Sequence, residues 1–321
     1  MRWLIGVLGG LGLVLVLLLA IRTPDTDPQE MVAKYTNEAS AFVQGTSGLR
    51  VHFRDEGRPD GEAIVFLHGS GASLHVWEGL IRELAQDYRL VSLSLPGHGL
   101  TGPHPADDYT FEGMAEAVDL VASDLGLERF TLVGSSLGGW VSWRYALEYP
   151  GKVDAMVLIA AVGALPPHGA ELEPDPFFIK MQINPLGRLV IANFMPRDLV
   201  EAAGEDATYA DGAVTDAAVD RFWELMRYPG NRSAPSTLPQ SYYWDPDFDA
   251  RLDEIEAPTL IIWGREDSFV PLNQGQEFAA HIPNSRLLVY EQTGHVPMEE
   301  RPQQTARDID AFLQEALAPQ S

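Results

Sequence analysis

A serine set between glycines is the first feature of the sequence that could do chemistry. Ser136 is the central residue of a G-x-S-x-G pattern, with Gly134 before it and Gly138 after it. An apolar run that predicts a strand precedes this pattern, and a segment with helical spacing follows it. The two glycines permit a sharp turn that would lift the hydroxyl above the end of a sheet. The pattern therefore predicts a nucleophile at Ser136.

A serine hydroxyl needs a general base near neutral pH, and that base needs an acceptor to orient it. Of the eight histidines, His295 is the best placed, because it follows the last predicted strand. Asp267 follows the preceding predicted strand and is the candidate acceptor, with the adjacent Glu266 as the alternative. Since the carboxyl ends of parallel strands share one edge of a sheet, we expect Ser136, Asp267 and His295 to meet there.

Backbone N–H groups beside the serine could stabilise the negative charge that develops on a carbonyl oxygen under attack. The N–H of Leu137, directly after the serine, would lie at a helix N-terminus, which favours negative charge. A glycine-rich run, HGSG at 68–71, follows an early predicted strand, and we predict that Ser70 N–H is the second donor. This chemistry requires neither a metal ion nor an organic cofactor.

The elements that would position these residues alternate between strand and helix from residue 49 onward. This alternation predicts an α/β fold with a mostly parallel sheet and helices on both faces. The predicted strands are Leu49–Arg54, Ala63–Leu67, Arg89–Leu95, Phe130–Val133, Val153–Ala161, Thr259–Trp263 and Leu287–Tyr290. The predicted helices of this part are Val76–Gln86, Gly113–Leu125, Leu137–Glu148, Asn273–His281 and Thr305–Ala316.

The alternation stops over residues 163–245, which are rich in proline and contain no convincing strand. A segment of that length is too long for a loop within a compact domain. We therefore predict an inserted helical cap, with helices near Leu186–Asn193 and Ala217–Met226. The predicted organisation is a membrane or signal segment over 1–22, a linker and lead-in over 23–48, and an α/β core in two parts, 49–162 and 246–321, around the cap.

The N-terminal segment is an uncharged apolar run of 19 residues, Trp3–Ile21, between Arg2 and Arg22. As a helix it would be about 28 Å long, close to the thickness of a bilayer core of about 30 Å. This length favours an uncleaved transmembrane helix that binds the lipid bilayer through residues 3–21. A cleaved signal peptide, which would give a secreted protein, is the alternative. The flanking charges favour a body on the extracytoplasmic (periplasmic) side.

Composition excludes several classes of function. The chain has 22 basic and 46 acidic residues, a formal net charge of −24, so its surface would repel nucleic acid. It contains no cysteine, which excludes disulfides, cysteine-ligated metals and thiol nucleophiles. Its 321 residues, 45% of them hydrophobic, suffice for a sizeable core.

Taken together, the motifs resemble those of the α/β-hydrolase superfamily, specifically its lid-bearing serine hydrolases (esterase/lipase-like), over residues 49–316. The resemblance depends on HGSGAS at 68–73 followed by Trp77, LPGHG at 95–99, GSSLGG at 134–139, WGREDSFVP at 263–271 and GHVPMEERP at 294–302. It implies a Ser136–His295–Asp267 triad with the cap over the pocket. One departure is Ser94, where the family usually has aspartate, and this puts only the packing of that loop in doubt. Relatives that cleave epoxides or carbon–halogen bonds use an aspartate nucleophile, so Ser136 argues against both activities.

Large apolar side chains in the predicted cap indicate the class of substrate. They are Phe177, Phe178, Ile179, Met181, Phe194, Met195, Phe222, Trp223, Met226, Tyr242, Tyr243 and Trp244. We expect most of them to pack the cap and the remainder to form an apolar pocket for small-molecule esters with acyl chains or aromatic groups.

Two alternatives to an ester hydrolase stay open. Similar scaffolds hydrolyse carbon–carbon bonds of meta-cleavage products, and HGSG resembles that group. A basic patch in the cap, able to bind a substrate carboxylate, would favour this activity. The other alternative is a catalytically silent binding protein, but the presence of all three triad residues argues against it.

Overall fold

Eight strands form one sheet in the computed structural model, which describes residues 22–163, 181, 184–210, 212–234 and 250–318. The strands are β1 (Ser40–Gln44), β2 (Arg50–Gly57), β3 (Glu62–Leu67), β4 (Tyr88–Leu93), β5 (Phe130–Ser135), β6 (Val153–Ile159), β7 (Thr259–Gly264) and β8 (Ser285–Tyr290). Their order is β1-β2-β4-β3-β5-β6-β7-β8. β2 is antiparallel to β1 and β4 and every other neighbouring pair is parallel, so the predicted mostly parallel sheet is confirmed.

Helices cover both faces of this sheet. The α-helices of the described residues are α1 (Pro28–Tyr35), α2 (Glu78–Leu84, after a 3₁₀ turn at Leu74–Trp77), α3 (Phe111–Asp124), α4 (Leu137–Glu148), α5 (Pro185–Asn193), α6 (Arg197–Ala207), α7 (Asp216–Met226), α8 (Leu272–His281), α9 (Pro297–Glu300) and α10 (Pro302–Ala316). Side chains of α3, α4 and α8 bury one face of the sheet, and those of α2 and α10 bury the other.

The central strands are apolar throughout because both of their faces are buried. In β3, Val65 and Leu67 join the core on the α3–α4 side, whereas Ile64 and Phe66 join the core on the α2–α10 side. Every residue of β5 and β7 is buried. These are two of the three strands whose carboxyl ends carry the predicted triad.

The lead-in, residues 23–48, differs from the predicted linker, since it contains α1 and β1. Asp27 caps α1 by accepting hydrogen bonds from the N–H groups of Gln29 and Glu30, at 2.8 and 3.0 Å. Met31 and Tyr35 are buried against Leu100 and Leu225, far along the chain. The sequence pattern did not reveal α1, because its apolar stripe is short and its partners are distant.

The described residues between β6 and β7 form α5, α6 and α7 and contain no strand. We call these three helices the cap. Their shared core contains Ile191, Met195, Val200, Val219 and Met226. The predicted cap residues Phe177, Phe178, Ile179, Tyr242, Tyr243 and Trp244 lie outside the described residues, as does the predicted span Trp3–Ile21. Within the part of the chain that is described, no helix is long and apolar enough to cross a membrane.

Candidate active site

Ser136 lies on a tight turn between the end of β5 and the start of α4. Its backbone angles, φ 51° and ψ −111°, are unusual for a residue with a side chain. A Cβ added to Gly138 would collide with the carbonyl oxygen of Leu67, and one added to Gly134 would collide with the carbonyl oxygen of Gly138. Both glycines are therefore required by close backbone contacts. Ser136 N–H donates to Ile159 C=O at 3.0 Å, which ties the turn to β6.

His295 and Asp267 form a buried pair at the carboxyl ends of β8 and β7. The His295 Nδ1 atom lies 2.9 Å from Asp267 Oδ2 and 3.1 Å from Asp267 Oδ1. The Oδ1 atom also accepts from Phe269 N–H and Val270 N–H, both at 2.9 Å. Three donors thus hold the carboxylate in place. A carboxylate beside Nδ1 favours the proton on that nitrogen and leaves the lone pair on Nε2.

The structure brings Ser136 and His295 to the wall of one cavity, with Asp267 behind the histidine. In this structure the His295 ring is hydrogen-bonded to Asp267 and not to Ser136. All three predicted residues thus lie at one edge of the sheet, as their positions after strands predicted. Two of them are in direct contact.

Glu266, the alternative acid, points elsewhere. Its Oε2 atom accepts from Thr293 N–H at 3.0 Å, and its own N–H donates to Thr293 C=O at 3.1 Å. These two bonds connect the loop after β7 to the loop after β8. Glu266 therefore braces the loop that carries His295, whereas Asp267 contacts the imidazole itself.

The glycine-rich loop after β3 lies against the nucleophile. A Cβ placed on Gly69 would be only 3.2 Å from Ser136 Cβ, and Gly69, Ser70 and Gly71 all line the cavity. Leu137 is the first residue of α4, and the first N–H groups of a helix have no partner within that helix. The residues of the two predicted oxyanion donors, Ser70 and Leu137, thus lie on separate segments beside the nucleophile.

His68 has a structural role that its sequence context did not predict. Its ring is fully buried, with Nδ1 2.7 Å from Gly69 C=O and Nε2 accepting Leu95 N–H at 3.0 Å. Since Nε2 accepts, Nδ1 carries the proton. Burial lowers the pKa of His68 well below its ordinary value, and the neighbouring His98 lowers it further. His68 is therefore a neutral donor to Gly69.

The hydrogen bond from His68 Nδ1 to Gly69 C=O fixes the direction of one predicted oxyanion donor, Ser70 N–H. Gly69 C=O and Ser70 N–H belong to the same planar trans peptide, so they point in opposite directions. Holding the carbonyl against His68 therefore orients the Ser70 N–H. The signal available in the sequence was a histidine directly after a strand, at the start of HGSG, but its acceptor bond to Leu95 depends on tertiary contact.

The cavity beside Ser136 has a volume of about 890 Å³ and lies between the sheet edge and the cap. Much of its wall is apolar, including Val162, Val200, Val219, Phe222, Met226 and Phe269. Phe222 and Met226 thus reach the cavity, as part of the predicted set was expected to do. Trp223 instead donates from Nε1 to Met195 C=O at 2.8 Å, within the cap.

One part of the cavity wall is charged. It contains Glu78, Arg82, Arg221, Glu299 and Glu300. Arg221, from the cap, lies 3.5 Å from Glu78, from the core. Glu299 lines the cavity and is exposed to water there, although protein surrounds it. The surrounding protein removes part of the hydration of the Glu299 carboxylate, which raises its pKa to about 7 against the opposing effect of Arg221, and the like charges of Glu300 and Glu78 raise it further.

The cap contacts both loops that carry the buried pair. The carbonyl oxygen of Ala207, at the end of α6, accepts from His295 N–H at 2.7 Å. That of Asp206 accepts from Ser268 Oγ at 2.6 Å. The carboxyl end of α6 therefore supports the loops after β7 and β8. Across the described ranges, no group of His, Cys, Asp and Glu side chains has the arrangement of a metal site.

Comparisons with known proteins agree with this architecture. A family model described as the alpha/beta hydrolase fold matches residues 62–302. The chain is 31% identical over 289 residues to 2-hydroxy-6-oxononadienedioate/2-hydroxy-6-oxononatrienedioate hydrolase 2 of Pseudomonas putida, covering 84% of this chain and 94% of that relative. It is 28% identical over 274 residues to 2-hydroxy-6-oxo-6-phenylhexa-2,4-dienoate hydrolase of Burkholderia cepacia, covering 78% of this chain and 87% of that relative.

The solved structures that resemble it include one described as a membrane phospholipase A, a bacterial virulence factor. The two share a TM-score of 0.74 and 25% sequence identity, and the match covers 99% of each chain. The match of the family model over most of the chain, the sheet order and the turn at Ser136 lead to one conclusion. The chain belongs to the α/β-hydrolase fold family.

Proposed function

We propose that the chain is a serine hydrolase that acts through an acyl-enzyme, with Ser136 as nucleophile. The observation that carries this proposal is the buried Asp267–His295 pair, whose histidine lines the same cavity as Ser136, a serine with a positive φ. His295 Nε2 removes the hydroxyl proton while Ser136 Oγ bonds to the substrate carbonyl carbon. Ser70 N–H and Leu137 N–H stabilise the resulting oxyanion.

The second half of the reaction reverses these proton transfers. Collapse of the oxyanion breaks the bond to the leaving group, which takes the proton from His295. A water molecule then gives a proton to the same nitrogen, attacks the acyl carbon and releases the acid, and Ser136 regains its proton. Asp267 stabilises the imidazolium that forms in both halves.

The substrate that we propose is a carboxylic ester with an apolar acyl or aromatic group. The apolar wall of the cavity supports this class. The charged wall also supports this class. Its described lining residues include two arginines and three glutamates, so positive charges do not outnumber negative ones there. The only cap cation among them, Arg221, lies beside Glu78 and Glu299. A substrate carboxylate would meet no excess of positive charge there.

The second candidate is a carbon–carbon bond hydrolase of the meta-cleavage-product type. The curated relatives favour this activity over the ester hydrolase, since both relatives named above are hydrolases of 2-hydroxy-6-oxo acids. Such substrates carry a carboxylate. For this activity Arg221 would have to leave Glu78 and bind that carboxylate.

A substrate panel separates the two candidates. We expect p-nitrophenyl and glycerol monoesters of increasing chain length to be turned over with at least 100-fold higher kcat/KM than 2-hydroxy-6-oxo-6-phenylhexa-2,4-dienoate, a difference of about 3 kcal/mol in transition-state stabilisation. The reverse order would establish the carbon–carbon hydrolase. In that case Arg221→Gln should raise KM for the dienoate and leave ester turnover unchanged.

We also propose that residues 3–21 anchor the protein in a membrane, with the body on the periplasmic side. The uncharged run of 19 residues supports the anchor, and so does the match to a membrane phospholipase over 99% of both chains. We expect the full chain to stay in the membrane fraction after carbonate extraction and to be digested by protease added to spheroplasts. Release by carbonate would favour the secreted alternative.

His68 is expected to position the oxyanion donor rather than to bind substrate. We predict that His68→Ala lowers kcat for ester hydrolysis by about 10- to 100-fold with little change in KM, because the oxyanion exists only in the transition state. His68→Asn keeps a donor near the Nδ1 position and should recover part of the loss. Steady-state kinetics on variants with a native circular dichroism spectrum provide the measurement, and a change confined to KM would contradict this role.

Glu299 is expected to make stability depend on pH. The folded-state pKa of about 7 is above the unfolded value of 4.5, so the unfolded state loses this proton first as pH rises. Ionisation of Glu299 therefore destabilises the fold progressively between about pH 4.5 and 7, and the full loss persists above that range. We predict that Glu299→Gln raises Tm at pH 8 and leaves it unchanged at pH 4, as measured by differential scanning fluorimetry. Equal shifts at both pH values would show that the raised pKa is absent.

A further inference from the structure

The outward face of α5 has no part in the chemistry described above. Leu186 is 69% exposed and Leu189 is 59% exposed, and both belong to this helix. Among the described residues, the only other exposed large apolar side chain is Tyr209. Because Leu186 and Leu189 are three residues apart, they share one side of the helix. Ile191 points the other way, into the cap core.

The charge of the sequence segment that contains α5 also differs from that of the rest of the chain. Acidic residues make up 46 of the 321 residues, yet residues 176–197 contain none. The same stretch contains three basic residues, Lys180, Arg188 and Arg197. A strongly acidic protein is repelled by an anionic lipid surface, and this stretch would not contribute to that repulsion.

The lead-in attaches α5 to the point where the predicted span ends. Thr23 N–H donates at 2.9 Å to the carbonyl oxygen of Asn193, the last residue of α5. Thr23 is two residues beyond the predicted span, and two residues of chain reach at most about 7 Å. The headgroup layer of each leaflet is about 5–8 Å thick. A span that crosses the bilayer therefore leaves the end of α5 in or beside the headgroups.

Further bonds keep the lead-in from acting as a loose tether. Arg232, whose side chain is almost fully buried, donates to Thr23 C=O at 2.8 Å and pairs with Asp25. Thr26 N–H donates to Arg227 C=O at 3.0 Å, and Thr26 Oγ1 donates to Glu224 C=O at 3.2 Å. The lead-in is thus fastened to α5, to α7 and to residues that follow α7, which limits how far the cap can move from Thr23.

We propose that α5 is a membrane-docking helix whose Leu186 and Leu189 side chains enter the boundary between headgroups and acyl chains. The bilayer is the one that residues 3–21 cross, so this proposal depends on the predicted span and not on the catalytic chemistry. An amphipathic helix of nine residues, about 13 Å long, lies in the plane of such an interface. The cap, and with it the cavity beneath, would then lie at the lipid surface.

The absence of cysteine permits a direct test. The full-length Leu189→Cys variant, labelled with an environment-sensitive fluorophore, is reconstituted in vesicles of phosphatidylcholine and phosphatidylglycerol, with and without doxyl-labelled lipid. We expect a blue-shifted emission that the doxyl lipid quenches. The matched control is Gly151→Cys, whose added Cβ would meet no atom within 4 Å and which precedes β6 at the opposite end of the sheet. The emission of the fluorophore at position 151 should show no blue shift and no quenching by the doxyl lipid.

Each other outcome overturns the proposal. Equal behaviour of the labels at 189 and 151 would place α5 in water. A blue shift without quenching would indicate a contact with protein, such as a second copy of the chain. Failure of the full-length protein to float with the vesicles would remove the span on which the proposal depends. None of these readouts requires catalytic activity, so they separate failure of membrane docking from failure of the proposed hydrolase.

A double variant tests the consequence for turnover. Leu186→Glu with Leu189→Glu changes two exposed side chains and should leave the fold intact. We expect it to lower the hydrolysis rate of a vesicle-embedded long-chain ester by about ten-fold, through weaker contact with the lipid surface. Hydrolysis of a short soluble ester should stay the same. A parallel loss on both substrates would contradict the interfacial role.

Discussion

Ser136→Ala is expected to lower kcat for ester hydrolysis by about 10⁴- to 10⁶-fold, with KM little changed. The reason is chemical, because alanine has no atom that can bond to the acyl carbon, and the reaction then depends on water and the remaining oxyanion donors alone. Labelling by a fluorophosphonate probe should disappear in parallel, since that reagent reacts with an activated serine oxygen. Activity on p-nitrophenyl butyrate and in-gel fluorescence of the labelled protein provide the two measurements.

Ser135→Ala is the matched control for this prediction. Ser135 is the neighbouring residue, is buried and also lines the cavity, so its substitution makes the same change in volume one position away. We expect Ser135→Ala to retain probe labelling. Labelling of Ser136→Ala at the level of the unchanged protein would refute the assignment of the nucleophile.

Asp267→Asn is expected to reduce kcat by about 10⁴-fold although the side chain keeps its shape. An amide at this position can donate to His295 Nδ1, which would move the ring proton to Nε2. A protonated Nε2 cannot accept the proton of Ser136, so the general base is lost. The neighbouring N–H groups of Phe269 and Val270 donate to one oxygen of this side chain, which would hold the amide oxygen there and direct its NH₂ group at the ring.

Glu266→Gln separates this mechanism from a general loss of negative charge near His295. The glutamine can still accept from Thr293 N–H, so the contact between the two loops survives. We expect less than about a ten-fold loss of kcat for this variant, because a residue that only supports a loop contributes little to the transition state. A larger loss in Glu266→Gln than in Asp267→Asn would make Glu266 the acid of the triad. Thermal unfolding of both variants shows whether either one has lost its fold.

Much of this molecule could be predicted from the sequence because the decisive signals are local. An apolar strand followed by G-x-S-x-G needs only neighbouring residues to form its turn, and the structure places helix α4 over the predicted range Leu137–Glu148. The strands of a parallel sheet are short apolar runs separated by helices, so their order along the chain and their common carboxyl edge could be inferred. The same reasoning predicts that Ser136, Asp267 and His295 lie at one edge of the sheet.

The features that could not be predicted depend on contacts between distant residues. Asp267 and Glu266 are adjacent and chemically alike, and only the path of their loop directs one to the imidazole and the other to the backbone of Thr293. His68 is neutral and oriented because Leu95 N–H, from another strand's end, occupies its second nitrogen. A pattern of residue types contains no information about such pairings.

The charged wall of the cavity illustrates the same limit. Glu78 begins a core helix, Arg221 belongs to the cap and Glu299 follows the last strand, so their separation along the chain conceals their proximity. Loss of hydration to the surrounding protein raises the pKa of Glu299, and that surrounding exists only in the folded protein. Local spacing therefore decided which residues of this chain could do chemistry, whereas the packing of remote segments decided their protonation, their orientation and the shape of the cavity.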